Sequence, residues 1–293
     1  SSIFLRGTNS THTLVLRDGV KLNSATSGVA SLAYIDTTDL KQIEVLKGPA
    51  SVLYGTNAIG GVVQLVSKTP EKTGAFITGE VGENKTYKSS VGADLVENGF
   101  YAQIRGQRLE SDGTHVTNAE QPDLKTGDFE QKGFSTKFGF ENESIALSLD
   151  YAQNEGQSTY VSSVFAPAPS YAFLNLKNNS VDFKNESINA KAKYKFSDLI
   201  ELNARLSQFK DESNQLDSKD FVNSKTLEAD IYTKVLLPAH QNILFGTTFQ
   251  NTKANAISSA SPYKGDVDAQ GYYLQHQYNN HGLNTQIGIR VED

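Results

Sequence analysis

From Ala75 onward, apolar and polar side chains alternate in run after run. Ile188, Ala190, Ala192, Tyr194 and Phe196 alternate with Asn189, Lys191, Lys193 and Lys195. Phe134, Thr136, Phe138 and Phe140 alternate with Ser135, Lys137 and Gly139. Ile145, Leu147, Leu149 and Tyr151 alternate with Ala146, Ser148 and Asp150, and Leu283 to Val291 repeats the pattern. A period of two places the two sets on opposite faces of a strand. The pattern predicts eleven strands, at 75–83, 87–96, 100–111, 131–141, 145–156, 181–196, 200–211, 220–237, 242–254, 266–279 and 283–293.

The connections alternate too. Short turns are expected at 97–99, 142–144, 197–199, 238–241 and 280–282. Longer loops are expected at 112–130, 157–180, 212–219 and 255–265, with a short one at 84–86. Short turns at one end and long loops at the other form the layout of a transmembrane barrel. Phe100, Phe140, Phe196 and Tyr278 stand beside the short turns, where an interfacial aromatic girdle belongs. The opposite faces carry Gln103, Arg105, Lys191, Lys193, Glu201, Arg205, Asp230, Lys234 and Arg290. That set is too charged for a packed sandwich core and suits a polar lumen. The expected fold class is therefore all-β, a partial transmembrane antiparallel β-barrel.

The first part of the chain is punctuated differently. Ile3-Phe4-Leu5 and Leu14-Val15-Leu16 read as short strands, and Asp18-Gly19 reads as a hairpin turn before Val20-Lys21-Leu22. Ser24 to Leu32 is small and polar and reads as an exposed loop. Ile43 to Lys68 then combines a strand at Ile43–Leu46, a Gly48-Pro49 corner and a Tyr54-Gly55 turn. Gly60-Gly61 and the run Val62–Val66 close it.

That stretch, IEVLKGPASVLYGTNAIGGVVQLVSK, resembles the end of the plug domain in TonB-dependent outer-membrane receptors. Residues 3–23, IFLRGTNSTHTLVLRDGVKLN, resemble the plug of cobalamin receptors, above all around Thr8, Asn9, His12 and Asn23. Two positions depart from the cobalamin pattern. Arg17 stands where an apolar residue is more usual, and Thr69-Pro70 is more similar to siderophore receptors.

The resemblance implies the C-terminal portion of a plug domain at 1–72 and the N-terminal half of a barrel at 73–293. Plugged barrels have about 22 strands, so the chain is expected to be an internal part of a longer protein. The implied activity is TonB-dependent uptake across the outer membrane of a Gram-negative bacterium. The implied partners are outer-membrane lipid, TonB (engaged through a segment outside this chain) and cobalamin. A ferric siderophore or haem is the alternative ligand. Thr8, Asn9, Asn23, Ser24 and Thr26 fall on plug segments expected to reach it. Arg6, Glu44 and Lys47 interrupt apolar strands and are expected at the barrel wall, since an unpaired buried charge is costly. They read equally as solvated strand faces.

No cofactor is required by this reading. Asp211, Asp217 and Asp220 in DESNQLDSKD have the carboxylate chemistry that binds calcium, and cobalamin receptors resembling this chain use calcium in extracellular loops. A plain charged outer loop is the other reading. Tyr160, Phe165, Tyr171 and Phe173 would give rigid contact area to a large ligand.

Composition narrows the alternatives. With 27 Lys+Arg against 33 Asp+Glu, the net charge is -6, and no basic stripe marks a nucleic-acid binder. The absence of cysteine excludes disulfides and thiolate metal sites within the chain. No apolar run is long enough for a transmembrane helix. No hydrolase, Walker or Rossmann motif is legible, so an enzyme is not expected. A passive porin and a structural or adhesive β protein are the rivals from other classes, and the plug-like stretch argues against the porin.

Overall fold

The two runs without alternation, 13–17 and 61–67, lie side by side at the centre of an inner sheet. In a computed structural model that describes residues 3–47, 51–55, 58–114, 126–165, 173–259, 261–280 and 282–293, this sheet has four strands. They are β1 (Thr13–Arg17), β2 (Val20–Lys21), β3 (Leu40–Lys47) and β4 (Gly61–Ser67), in the order β2-β1-β4-β3. β1 and β4 are parallel, with Leu14 opposite Val62 and Leu16 opposite Gln64. A parallel pair covered on both faces needs continuous apolar sequence, and TLVLR and GVVQLVS supply it. One face packs Val15, Val20, Leu22, Ala30, Val63 and Leu65 with Phe209; the other packs Leu14, Leu16, Ala58 and Val62 with Tyr54.

Asp18 and Gly19 both have positive φ, 50° and 93°, in the tight β1–β2 turn expected of Asp-Gly. Asn23 braces the same corner. Its Oδ1 accepts from Val15 N at 2.8 Å, while its Nδ2 donates to the carbonyls of Thr13 (3.0 Å) and Gly28 (2.9 Å). Two local expectations fail. Ile3–Leu5 is not a strand; it lacks a ladder partner, and Ile3 and Leu5 pack against the core instead. The segment before Gly55 is a short helix, α1 (Ser51–Tyr54), with the turn left to Gly55 at φ 84°.

The outer sheet has eleven strands in sequence order, each antiparallel to its neighbours. They are β5 (Gly74–Gly82), β6 (Thr86–Glu97), β7 (Phe100–Thr114), β8 (Thr126–Glu141), β9 (Ile145–Phe165) and β10 (Phe173–Lys195). They continue with β11 (Ile200–Gln215), β12 (Phe221–Leu237), β13 (Gln241–Ser258), β14 (Ser261–Asn280) and β15 (Leu283–Glu292). At the short turns the strand ends fall within a residue or two of the expected positions. Asn98-Gly99 adopts the paired positive φ of a tight hairpin, as do Asn84-Lys85 and Ala239-His240.

At the opposite ends the strands run well past the expected limits. Most of 126–130, 157–165 and 173–180 is ladder rather than loop. Only a lipid-embedded strand needs a strictly apolar face; in these extensions the alternation lapses and backbone hydrogen bonds sustain the pairing without it. Residues 166–172, which include Tyr171, lie outside the described residues, as do the side chains of Phe165 and Phe173.

Burial in this sheet is inverted relative to a water-soluble protein. Ile77, Val91, Ile104, Phe138, Leu149, Leu206, Phe249 and Ile289 are exposed, while Gln103, Arg105, Gln131, Lys137, Asn189, Glu228 and Gln275 are buried. Phe100 and Phe140 meet beside a short turn with ring centroids 4.6 Å apart, and exposed Phe196 lies beside another. The apolar band faces away from the inner sheet and the polar face lies against it, as a barrel wall beside a plug requires.

Candidate functional site

The polar face of the wall meets the inner sheet along a series of paired contacts, and these form the candidate site. The Asp18-Gly19 turn projects the end of β1 into the wall. There Asn189 Nδ2 donates to the Asp18 carbonyl at 3.0 Å, and a side chain on Gly19 would sit 3.2 Å from Arg205 Cδ. Burial raises the energy of the Asp18 carboxylate. The attraction of Lys137 and Lys191, with a hydrogen bond from Ser67, outweighs it and holds the group below the usual carboxylate range.

Lys137 is central on this side. Its Nζ donates to Ser67 Oγ at 2.5 Å and lies 3.3 Å from Asp150, which also has Lys191 at 3.9 Å. These partners offset the cost of burying this lysine.

Next to it, within the inner sheet, Arg17 pairs with Asp39; both residues are buried. Burial disfavours the guanidinium, and the fields of Asp39, Asp18 and Asp36 more than restore its charge. The residue that departs from the cobalamin pattern thus has a carboxylate built for it, tying the end of β1 to the segment before β3.

On the far side of the turn, Lys21 reaches across to the wall. Its Nζ is 2.8 Å from Glu228 Oε2 and donates to Gln250 Oε1 at 2.9 Å, and Glu228 also pairs with Arg205. Toward the long-strand end, Tyr34 stacks on Phe183 with centroids 3.8 Å apart and planes 5° from parallel, and Phe129 lies beyond at 6.5 Å. Gln131 Nε2 donates to the Tyr34 carbonyl at 2.9 Å. α1 packs against β14 and β15, where Val52 fills the space over Gly288. A cavity of about 770 Å³ lies between β3, β4 and α1 on one side and the wall on the other, lined by Glu44, Tyr54, Arg205, Tyr232 and Arg290 among others.

The residues singled out from sequence fall differently. Arg6, Glu44 and Lys47, expected at the wall, are exposed; Glu44 borders the cavity, and the described wall contacts belong to Asp18, Lys21, Tyr34 and Ser67 instead. Asn23 is an internal brace with its amide fully engaged. Ser24 is buried and hydrogen-bonded to Asp211, although most of the 24–32 loop is exposed or half-buried as expected, including exposed Thr26, which bonds Ser24 at 3.2 Å. Asn9 is exposed and caps a turn through Thr11 N, and the Thr8 hydroxyl donates to the Leu5 carbonyl at 2.8 Å.

The three aspartates are not brought together. Asp211 lies within β11 facing the inner sheet, Asp217 accepts from Ser180 N at 2.9 Å beyond the strand end, and Asp220 follows the turn. Among the described residues no group of three metal-ligating side chains forms. The parity of the wall strands was the signal for Lys137, Asn189 and Glu228, since each occupies a polar position of its strand.

Residues 1–62 match the family model described as TonB-dependent Receptor Plug Domain. A stretch of 65 residues, 22% of this chain, is 62% identical to the Vitamin B12 transporter BtuB of Vibrio vulnificus (strain YJ016) and covers 11% of it. The fold is similar to that of the siderophore receptor PirA from Pseudomonas aeruginosa (TM-score 0.71, 16% identity, 98% of this chain and 49% of that one). The FrpB iron transporter from Neisseria meningitidis (F5-1 variant) has a TM-score of 0.76 at 10% identity, covering 96% of this chain and 51% of that one. The chain thus spans about half the length of the solved proteins it matches. Residues 1–62 thus match the plug domain of TonB-dependent receptors, and nearly the whole chain shares the fold of the corresponding half of such solved receptors.

Proposed function

We propose that the intact protein is a TonB-dependent active uptake receptor of the Gram-negative outer membrane, and that its solute is cobalamin. The 62% identity to a vitamin B12 transporter over 65 residues carries the ligand reading. The inverted burial of the wall supports the membrane setting, with outer-membrane lipid against the apolar band. In this reading the solute binds at the long-strand end. Energy delivered through TonB displaces the plug, and the paired wall contacts reseat it. No covalent chemistry and no resident cofactor takes part. The plug–wall ion pairs suit a part that must move, because each partner is solvated or re-paired on release.

A ferric-siderophore receptor is the second reading, favoured by Thr69-Pro70 after β4. Equilibrium binding to the full-length protein in detergent, with and without calcium, separates the two. Tight cobalamin binding is expected. Binding only to members of a ferric-siderophore panel would replace the ligand while keeping the transport mechanism, and calcium dependence would return attention to the Asp217–Asp220 turn.

A further inference from the structure

The outward face of the wall changes character at the edge of the apolar band. On β11, β12 and β13 the exposed side chains of Leu206, Leu227 and Phe249 belong to that band. Two to four residues further toward the long-strand end, on the same faces of the same strands, stand Lys210, Lys225 and Lys253.

The register sets these three side by side. Lys210 is directly opposite Lys225, and Lys225 is directly opposite Lys253. Neighbouring strands lie about 4.8 Å apart, so the row is about 10 Å wide at the backbone. Like charges directly opposite one another destabilise a sheet, and here two such pairs follow in succession. The carboxylates that offset them stand only on the flanks. Lys210 Nζ is 3.0 Å from Glu186 Oε2 on β10, and Lys253 Nζ is 3.2 Å from Asp266 Oδ2 on β14. Lys225, in the middle, is exposed, and its side chain has no ion pair or hydrogen bond among the described residues. Lys184, on the same face of the wall, is set differently: its direct neighbours are Glu155 and Glu212, and it pairs with Glu186. All three strands of the row have both ladder neighbours in place, so the row is complete within this chain.

We infer that Lys210, Lys225 and Lys253 form a docking site for the phosphorylated head group of an outer-leaflet lipid, whose acyl chains lie along Leu206, Leu227 and Phe249. An anion on the row removes the repulsion that the sequence leaves uncancelled at Lys225. Lysine stems span from apolar surface to a polar layer, which is where a lipid head group lies. A soluble anion would leave the apolar half of this surface unmatched, and an apolar partner would leave the charged half so. The width of the row favours a head group with more than one phosphate. The inference rests on the outer-membrane reading above and adds which part of the wall the lipid recognises.

The test measures retention of bis-phosphorylated lipid A by the full-length receptor in neutral detergent, using native mass spectrometry. Lys225→Gln, Lys225→Arg and Lys184→Gln are compared with the unaltered protein. Lipid A freed of its phosphates, phosphatidylglycerol and inorganic phosphate are the comparison ligands. Lys225→Gln is expected to bind lipid A about fivefold more weakly, while Lys225→Arg and Lys184→Gln match the unaltered protein. Hydrogen exchange gives a second readout. Without lipid, exchange across 223–227 should be slower in Lys225→Gln, where the repulsion is relieved, and lipid A should slow it mainly in the unaltered protein. Equal affinity in Lys225→Gln, an equal loss in Lys184→Gln, or equal retention of the phosphate-free lipid would overturn the site. Phosphatidylglycerol held as tightly as lipid A, or inorganic phosphate bound in place of lipid, would overturn the proposed occupant. Neither readout needs cobalamin or TonB, so failure here is distinct from failure of the uptake reading.

Discussion

Replacing Lys137 by methionine removes the charge that joins the plug to β8 while keeping most of the apolar volume. Lys137 is buried, donates to Ser67 and lies 3.3 Å from Asp150. Breaking a buried pair by deleting one partner costs roughly 3–5 kcal/mol. Lys191, 3.9 Å from Asp150, retains part of the compensation, so the lower figure applies, about 3 kcal/mol. Since every 1.4 kcal/mol is about tenfold, local opening around β4 should become about 100-fold more frequent. Intact receptors need not unfold in two states, so a melting curve is a poor readout. Hydrogen exchange of peptides covering Gly61–Ser67 in the full-length protein measures the opening directly. Adding Asp150→Asn should recover most of the loss, because the stranded carboxylate is then neutral. Exchange unchanged in Lys137→Met would refute the argument that this lysine is held by paired charge.

Asn23→Ala should lower plug stability by about 3 kcal/mol, since a buried backbone donor and two carbonyls lose their partner; exchange protection of Val15 reports it. Asp18 is held ionised by Lys137 and Lys191 against burial. Its contribution to plug seating is therefore complete above the ordinary carboxylate range of about pH 4 and lost as pH falls through its depressed value. Plug protection measured on acidification should fall less steeply in Asp18→Asn. Ala239 and His240 both carry left-handed φ, 59° and 57°, in a tight turn. Replacing them with Asn-Gly should stabilise the β12–β13 hairpin by about 1 kcal/mol, read as slower exchange at Leu237 and Gln241. Tyr34→Ala should detach the plug segment stacked on Phe183, whereas Tyr34→Phe keeps the stack; protection of residues 30–36 separates the two.

The wall was legible because lipid imposes a strict period of two on it. Runs such as Phe134 to Phe140 and Ile188 to Phe196 state which face meets the bilayer and where the short turns fall. The strand ends beyond the expected limits were not legible, because TGDFE at 126–130 and KNNS at 177–180 carry no strict alternation and the ladder there rests on backbone bonds. In the plug, the Asp18-Gly19 turn and the valine runs were readable, but their use was not. Glu44 and Lys47 in β3 are exposed in this chain, which spans about half the length of the solved proteins it matches. The wall contacts come from a turn and a two-residue edge strand, where a lysine is unremarkable in sequence. Asn23 was read as a ligand contact because it is polar and follows a hairpin; its amide is spent on three backbone partners that only the fold brings together.

In the proposed mechanism a plug seated in this wall is moved by TonB to admit cobalamin. The most direct test is cobalamin uptake by cells whose only cobalamin receptor is the full-length protein, with TonB present or deleted. Uptake is expected to disappear without TonB while surface binding of cobalamin is retained. Uptake that is equal in both strains would mean a passive pore, and it would contradict the account.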